Sequence, residues 1–159
     1  MPSAQSSSTT AGPSSPPKPT KKFYATASPF EQKIGYYRAV RHGQQILVSG
    51  TTAVDPHSPP SAPQILFPGD ARSQARVALE ECVNAAQALG GKGPESVVRV
   101  RMFVARGEDC GVVGEGFRDV LGKQNGDGVG AAATMIVVHN GFIDERMLVE
   151  IEVDEFVDG

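Results

Sequence analysis

Two segments alternate between apolar and charged side chains, and they constrain the fold more than anything else in the chain. Val97 to Val104 reads VVRVRMFV, and Met147 to Phe156 reads MLVEIEVDEF. A period of two sends successive side chains to opposite faces of a strand. Val98, Val100, Met102 and Val104 therefore share one face, and Arg99, Arg101 and Phe103 share the other. In the second run Val149, Ile151 and Val153 oppose Glu150, Glu152 and Asp154. Each strand asks for a core on one side only. The opposite face, with Arg99, Arg101, Phe103, Glu150 and Glu152, is too mixed for free solvent and too polar for a core. Such a face suits a subunit interface or the wall of a cleft.

The remaining segments supply the core. Tyr36 to Arg41 and Gln45 to Val48 are short β-prone runs around His42-Gly43, which reads as a hairpin, with Ser49-Gly50 ending the second strand. Asp55 to Pro68 carries five prolines and is a loop. Asp70 is a good N-cap, and Ala75, Leu79, Cys82, Ala86 and Leu89 form one helical face stopped by Gly90-Gly91. A second helix is expected from about Glu108 to Lys123, with Val113, Phe117, Val120 and Leu121 inward. Gly111, Gly114 and Gly116 weaken it, by about 1 kcal/mol each relative to Ala. Gly122 to Gly130 is a loop, Ala132 to Val138 a strand and His139-Asn-Gly141 a turn. The order ββ-α-β-α-ββ implies an α+β layer, a mixed sheet with two helices on one face.

At 159 residues the chain is one domain by length. Fourteen of residues 1–22 are Ser, Thr or Pro, and their only charges are Lys18, Lys21 and Lys22. Such a stretch buries too little apolar surface to offset its ordering entropy. Residues 1–27 are therefore expected to form a disordered Ser/Pro-rich tail before a domain at 28–159. With the three tail lysines set aside, twelve cationic side chains face eighteen acidic ones, a net of −6. That balance, with 6% aromatics and no Trp, argues against nucleic-acid binding. No apolar run is long enough to cross a membrane, and the Ser/Pro-rich start lacks the apolar stretch of a secretory signal. Two cysteines are too few for a disulfide framework, so a reduced, cytoplasmic setting is expected. Organellar targeting by the tail stays open.

Chemistry-bearing motifs are sparse. GVVGEG (111–116) follows no strand and lacks the Lys-Ser/Thr of a phosphate loop. His42, His57 and His139 sit in turns at no metal-ligand spacing, so no metal is expected. Cys82 falls on an apolar helix face, and Cys110, near a helix start, reads as an inert thiol or one of lowered pKa. There is no nucleophile elbow. Glu150 remains. On a sheet face with opposed arginines it is a structural ion pair; buried, it becomes a general acid or base of raised pKa.

Five segments in register resemble the RidA/YjgF/UK114 (Rid) family. They are Gly35-Tyr-Tyr-Arg-Ala-Val40, Leu47-Val-Ser-Gly50, the Gln74–Leu89 helix with Gly90-Gly91, Val97–Val104, and Leu148-Val-Glu-Ile-Glu152. The resemblance spans residues 28 to 157. It implies a chorismate-mutase-like α+β fold and a homotrimer whose sheets form a barrel, with ligand clefts between subunits. It implies cofactor-free hydrolysis of enamine or imine intermediates, with an arginine fork holding a substrate carboxylate and a glutamate assisting water. Carried over, the cleft tyrosine falls at Tyr37, the strand-end pair at Ser49-Gly50 followed by Thr51, and the glutamate at Glu150. The arginine does not carry over: Ala133 holds its place, and Gly114 holds that of a cleft asparagine. The chain thus resembles the arginine-less branch, with Ser28-Pro-Phe-Glu31 and Ala132-Ala-Thr-Met135. Arg38 and Arg101 are substitute clamps or else partners of Glu31, Glu150 or Glu152. A pocket of Ala133, Thr134, Met135, Phe103 and Phe117 would be roomier and more apolar.

These readings give three functions. The first is a small-molecule enzyme with Glu150 and Tyr37 as acid/base groups for imine hydrolysis, tautomerisation or cyclisation. The second is a non-catalytic ligand-binding or chaperone-like trimer. The third is an endoribonuclease, against which the folded part's negative charge speaks.

Overall fold

A computed structural model describes residues 12, 15–18 and 20–158. Its elements are β1 (Lys21–Tyr24), α1 (Pro29–Ile34), β2 (Ala39–His42), β3 (Gln45–Thr51), α2 (Ala71–Gln87), β4 (Val97–Val104), α3 (Cys110–Leu121), β5 (Ala132–Val137) and β6 (Val149–Phe156). They build a six-stranded mixed sheet in the order β1-β2-β3-β6-β4-β5. Only the β4–β5 pair is parallel, joined through α3. The expected α+β layer is present: α2 crosses β3 and β6, α3 lies beside α2, and both feed one core.

Local chemistry explains the helices. Asp70 caps α2 by accepting from Ser73 N at 3.0 Å and Ser73 Oγ at 2.6 Å. Ala75, Leu79, Cys82 and Ala86 are fully buried against Ile46, Val100, Ile151 and Val153. Gly116 does more than weaken α3. A Cβ there would meet Arg72 O at 2.8 Å and Ala75 Cβ at 2.9 Å, so the glycine lets the two helices touch. Arg72 then spans the seam to Glu115 and Asp119, each at 3.0 Å.

The structure departs from the sequence expectations in four places. Much of the expected 1–27 tail lies outside the described residues, but Lys21–Tyr24 forms β1, an edge strand paired antiparallel with β2. Its lysines and shortness protect that edge from pairing with other chains. The expected strand from Tyr36 begins only at Ala39. Ser49-Gly50 do not end β3; the strand runs on to Thr51 through an irregularity in its pairing with β6. A second irregularity, between Val97 and Arg99, turns Val98 outward at 43% exposure and puts Val97 in the core at 2%.

On β6 the inward set continues past Val153 to Glu155. That carboxyl is 0% exposed, and neither of its oxygens has a hydrogen-bond partner among the described residues.

Candidate functional site

The cavity that matters opens where β3 meets β6. Its volume is about 1060 Å³, and its walls come from the segment entering α1, the end of β3, the loop after it, and the turn before β6. The irregularity in β3 sets its floor. Gly50 stands there without a side chain, and the Glu150 carboxyl of β6 fills the space: a Cβ on Gly50 would collide with Glu150 Oε1. Ser49 fixes the strand by donating to Tyr37 O from Oγ at 2.7 Å and to Arg38 O from N at 2.9 Å.

Arg38 braces the same floor. Its Nη1 donates to Thr51 Oγ1 at 2.8 Å and to Gly50 O at 3.1 Å, and its Nε to Glu31 Oε1 at 2.9 Å. Glu31, buried on α1, also accepts from Thr26 N at 2.8 Å and Thr26 Oγ1 at 2.7 Å. The Ser28–Glu31 motif is thus a brace: it ties the chain after β1 to the guanidinium under the cavity. Nη2 of Arg38 keeps its donors free among the described residues.

Glu150 receives no hydrogen bond from any described residue, and burial pushes its carboxyl above the usual range. Nearby Glu152 raises it further, while the Arg38 charge opposes both. Gly50→Ala is expected to displace this carboxyl and return its titration toward the ordinary 4.5. Carbon-13 NMR titration of the Glu150 carboxyl in both proteins measures it.

The structure gathers Arg38, Ser49, Gly50, Thr51 and Glu150 around one cavity. Tyr37 is not in its lining; it is 45% exposed and stacks on Phe23 with ring centroids 4.5 Å apart. The tyrosines that line the cavity are Tyr36 and Tyr24. Arg101 lies away from it on the open sheet face, held by Glu152 at 3.1 Å and Asp154 at 3.2 Å. Phe103 sits opposite Glu150 in the β4–β6 register, outside the cavity lining. Phe117 packs on the hydrophobic core from α3, because its helix face points at α2. Ala133, Thr134 and Met135 ride on β5, separated from β6 by β4. Of the eleven residues expected around Glu150, the chain brings four to this cavity: Arg38, Ser49, Gly50 and Thr51.

Sequence reasoning missed the cavity's upper wall. Phe142 and Ile143 follow the His139–Gly141 turn, and Ile143 is 80% exposed. Two large apolar residues in a turn were the available signal. Cys82 is no nucleophile: burial pushes its thiol up to about 12. Among the described residues no cluster of His, Cys, Asp or Glu could hold a metal ion, and no helix is long and apolar enough to cross a membrane.

Known proteins resemble the chain over most of its length. The family model described as Endoribonuclease L-PSP matches residues 26–155. An uncharacterized Streptomyces coelicolor protein is 34% identical over 131 residues, 82% of this chain and 88% of that one. The crystal structure of Rv2704 from Mycobacterium tuberculosis, a member of the YjgF/YER057c/UK114 family, is similar at 30% identity. Its TM-score is 0.69, covering 87% of this chain and 100% of that one. The E. coli YjgF gene product shares the fold at 24% identity and TM-score 0.68, over 86% and 99% of the two chains.

Proposed function

Because the chain belongs to the Endoribonuclease L-PSP family, with YjgF/YER057c/UK114 structures among its relatives, we propose that it is a cofactor-free enzyme acting on a reactive imine or enamine. The observation that carries this reading is Glu150: a part-buried carboxyl with no hydrogen-bond donor among the described residues, on the floor of a cavity of about 1060 Å³ beside Arg38. A carboxyl of raised pKa suits proton transfer near neutral pH.

In the proposed reaction Glu150 accepts a proton from water as the water oxygen bonds to the imine carbon. The C=N π pair moves to nitrogen, which takes up a proton. The carbinolamine then collapses: Glu150 returns its proton to nitrogen, the C–N bond breaks with its pair going to nitrogen, ammonia leaves, and the hydroxyl proton passes to Glu150 as the carbonyl forms and from there to solvent. Arg38 holds Gly50 and Thr51 in place beneath this step. Its free Nη2 is the candidate donor to a substrate oxygen, in place of the arginine that Ala133 replaces.

We place the full cleft between subunits of a homotrimer. Support comes from β5, an edge strand of sequence AATMIV with Ile136 45% and Val137 38% exposed. A large, apolar, unpaired edge is costly unless another chain covers it. Light scattering is expected to give three protomers per particle; a monomer would remove the inter-subunit cleft.

The test of catalysis is ammonia release from an imine generated in situ. Glu150→Gln is expected to lower the rate by about 10²-fold or more while the fold is retained. Unchanged turnover would remove Glu150 from the chemistry. Binding without turnover in the unsubstituted protein would favour the ligand-binding trimer. An endoribonuclease reading has little electrostatic support: among the described residues Arg38 is the sole cation in the cavity lining, and residues 20–158, with Lys21 and Lys22 in β1, carry a net −4. RNA that fails to bind even at low ionic strength would dispose of it.

A further inference from the structure

The cavity has a charge pattern that the proposed reaction does not require. Arg38 is already met by the buried Glu31 at 2.9 Å. The other charged residues in its lining are the carboxylates Asp55, Glu81 and Glu150, none of which has a salt-bridge partner among the described residues. Aromatic rings stand among them: Tyr24, Phe30, Tyr36 and Phe142. Among the described residues Asp55 Oδ1 accepts only from the backbone, from His57 N at 2.9 Å. Carboxylates without a cationic partner and the negative faces of aromatic rings both attract a desolvated cation and both repel an anion. Ile34 and Ile143, 72% and 80% exposed at the rim, add apolar surface for the body of a ligand.

We infer that this cavity selects an organic cation, a protonated amine or iminium on an apolar body, over a carboxylate-bearing molecule. The inference rests on the proposed site and names its substrate class. An iminium is also the form in which an imine carbon is most open to water, so the same carboxylates that hold the cation would favour the reactive species.

The test compares three probes with one phenylethyl body on the full chain by calorimetry: 2-phenylethylamine, 2-phenylethanol and 3-phenylpropanoate. The amine is expected to bind at least about tenfold more tightly than the propanoate. Raising salt from about 50 mM to about 500 mM is expected to weaken the amine several-fold and to leave the alcohol unchanged. The pair Asp55→Asn and Glu81→Gln is expected to weaken the amine alone. Equal or tighter binding of the propanoate, a salt-independent amine, or no binding of any probe would overturn the inference. Its failure is distinct from that of the catalytic reading. Glu150-dependent ammonia release with a preference for the propanoate sinks the cation site and keeps the catalyst. The amine preference with Glu150-independent turnover does the reverse.

Discussion

Raising the pH from about 4 to about 8 is expected to cost the folded state about 3 kcal/mol through a single side chain, Glu155, whose pKa moves from 4.5 to about 7 on folding. Burial is the main cause, and Glu95 adds to it. The sign follows from proton counts. Between pH 4.5 and about 7 the folded chain holds a proton on Glu155 that the unfolded chain has released, so stability falls as pH rises through that window and levels off above it. The groups facing this carboxyl offer no relief. Ile46 and Val97 flank it across the sheet, the Cys82 thiol stays neutral, and a Cβ on Gly91 would stand 2.6 Å from Oε2. Glu155→Leu is expected to flatten the pH slope and to raise the melting temperature at pH 8 by roughly 6–12 °C for a chain of this size. Thermal unfolding of both proteins from pH 4 to pH 8 decides it. Parallel curves would mean that Glu155 finds a partner on folding.

Loss of Glu31 is expected to be more damaging at neutral pH. Glu31→Ala leaves the Arg38 guanidinium buried without its carboxylate, a change that typically costs about 3–5 kcal/mol. It also takes the acceptor from Thr26 N and Oγ1, so the stretch from Tyr24 to Pro29, part of the cavity wall, loses its anchor. The double variant Glu31→Leu/Arg38→Met, which removes both charges, is expected to recover more than half of the lost stability. Denaturant titration gives both numbers. A double variant no more stable than Glu31→Ala would show that Arg38 is held by Gly50 and Thr51 rather than by the ion pair.

The two alternating strands and α2 were legible in the sequence because their pattern is local: each residue's face follows from counting. The irregularities were not. One extra residue between Val97 and Arg99 reverses the count for Val98, and nothing in VVRVRMFV marks the slip. The same effect hid the role of Gly50, which reads as a strand end and is instead the seat of the Glu150 carboxyl. Strand β1 was lost inside a Ser/Pro-rich context because KKFY has no period of its own; its partner β2 orders it. Glu150 could be singled out from its strand face. Its neighbours could not, because Tyr24, Asp55 and Phe142 come from segments joined only by the fold. Glu155 stands in phase with Val149, Ile151 and Val153, but a charged side chain at the end of the run gave no sign that the core extends to it.

The position of β6 has a consequence for how the protein comes into being. It pairs with β3 on one side and β4 on the other, yet it follows all of them in the chain. A ribosome delivers β1 to β3 and then β4, α3 and β5 before the strand that unites them exists. Until Val149–Phe156 leaves the exit tunnel, the two halves of the sheet have no shared ladder, and both present open strand edges. The nascent chain therefore waits on its last ordered strand to close the sheet, and a ribosome stalled before residue 149 would hold two unjoined halves.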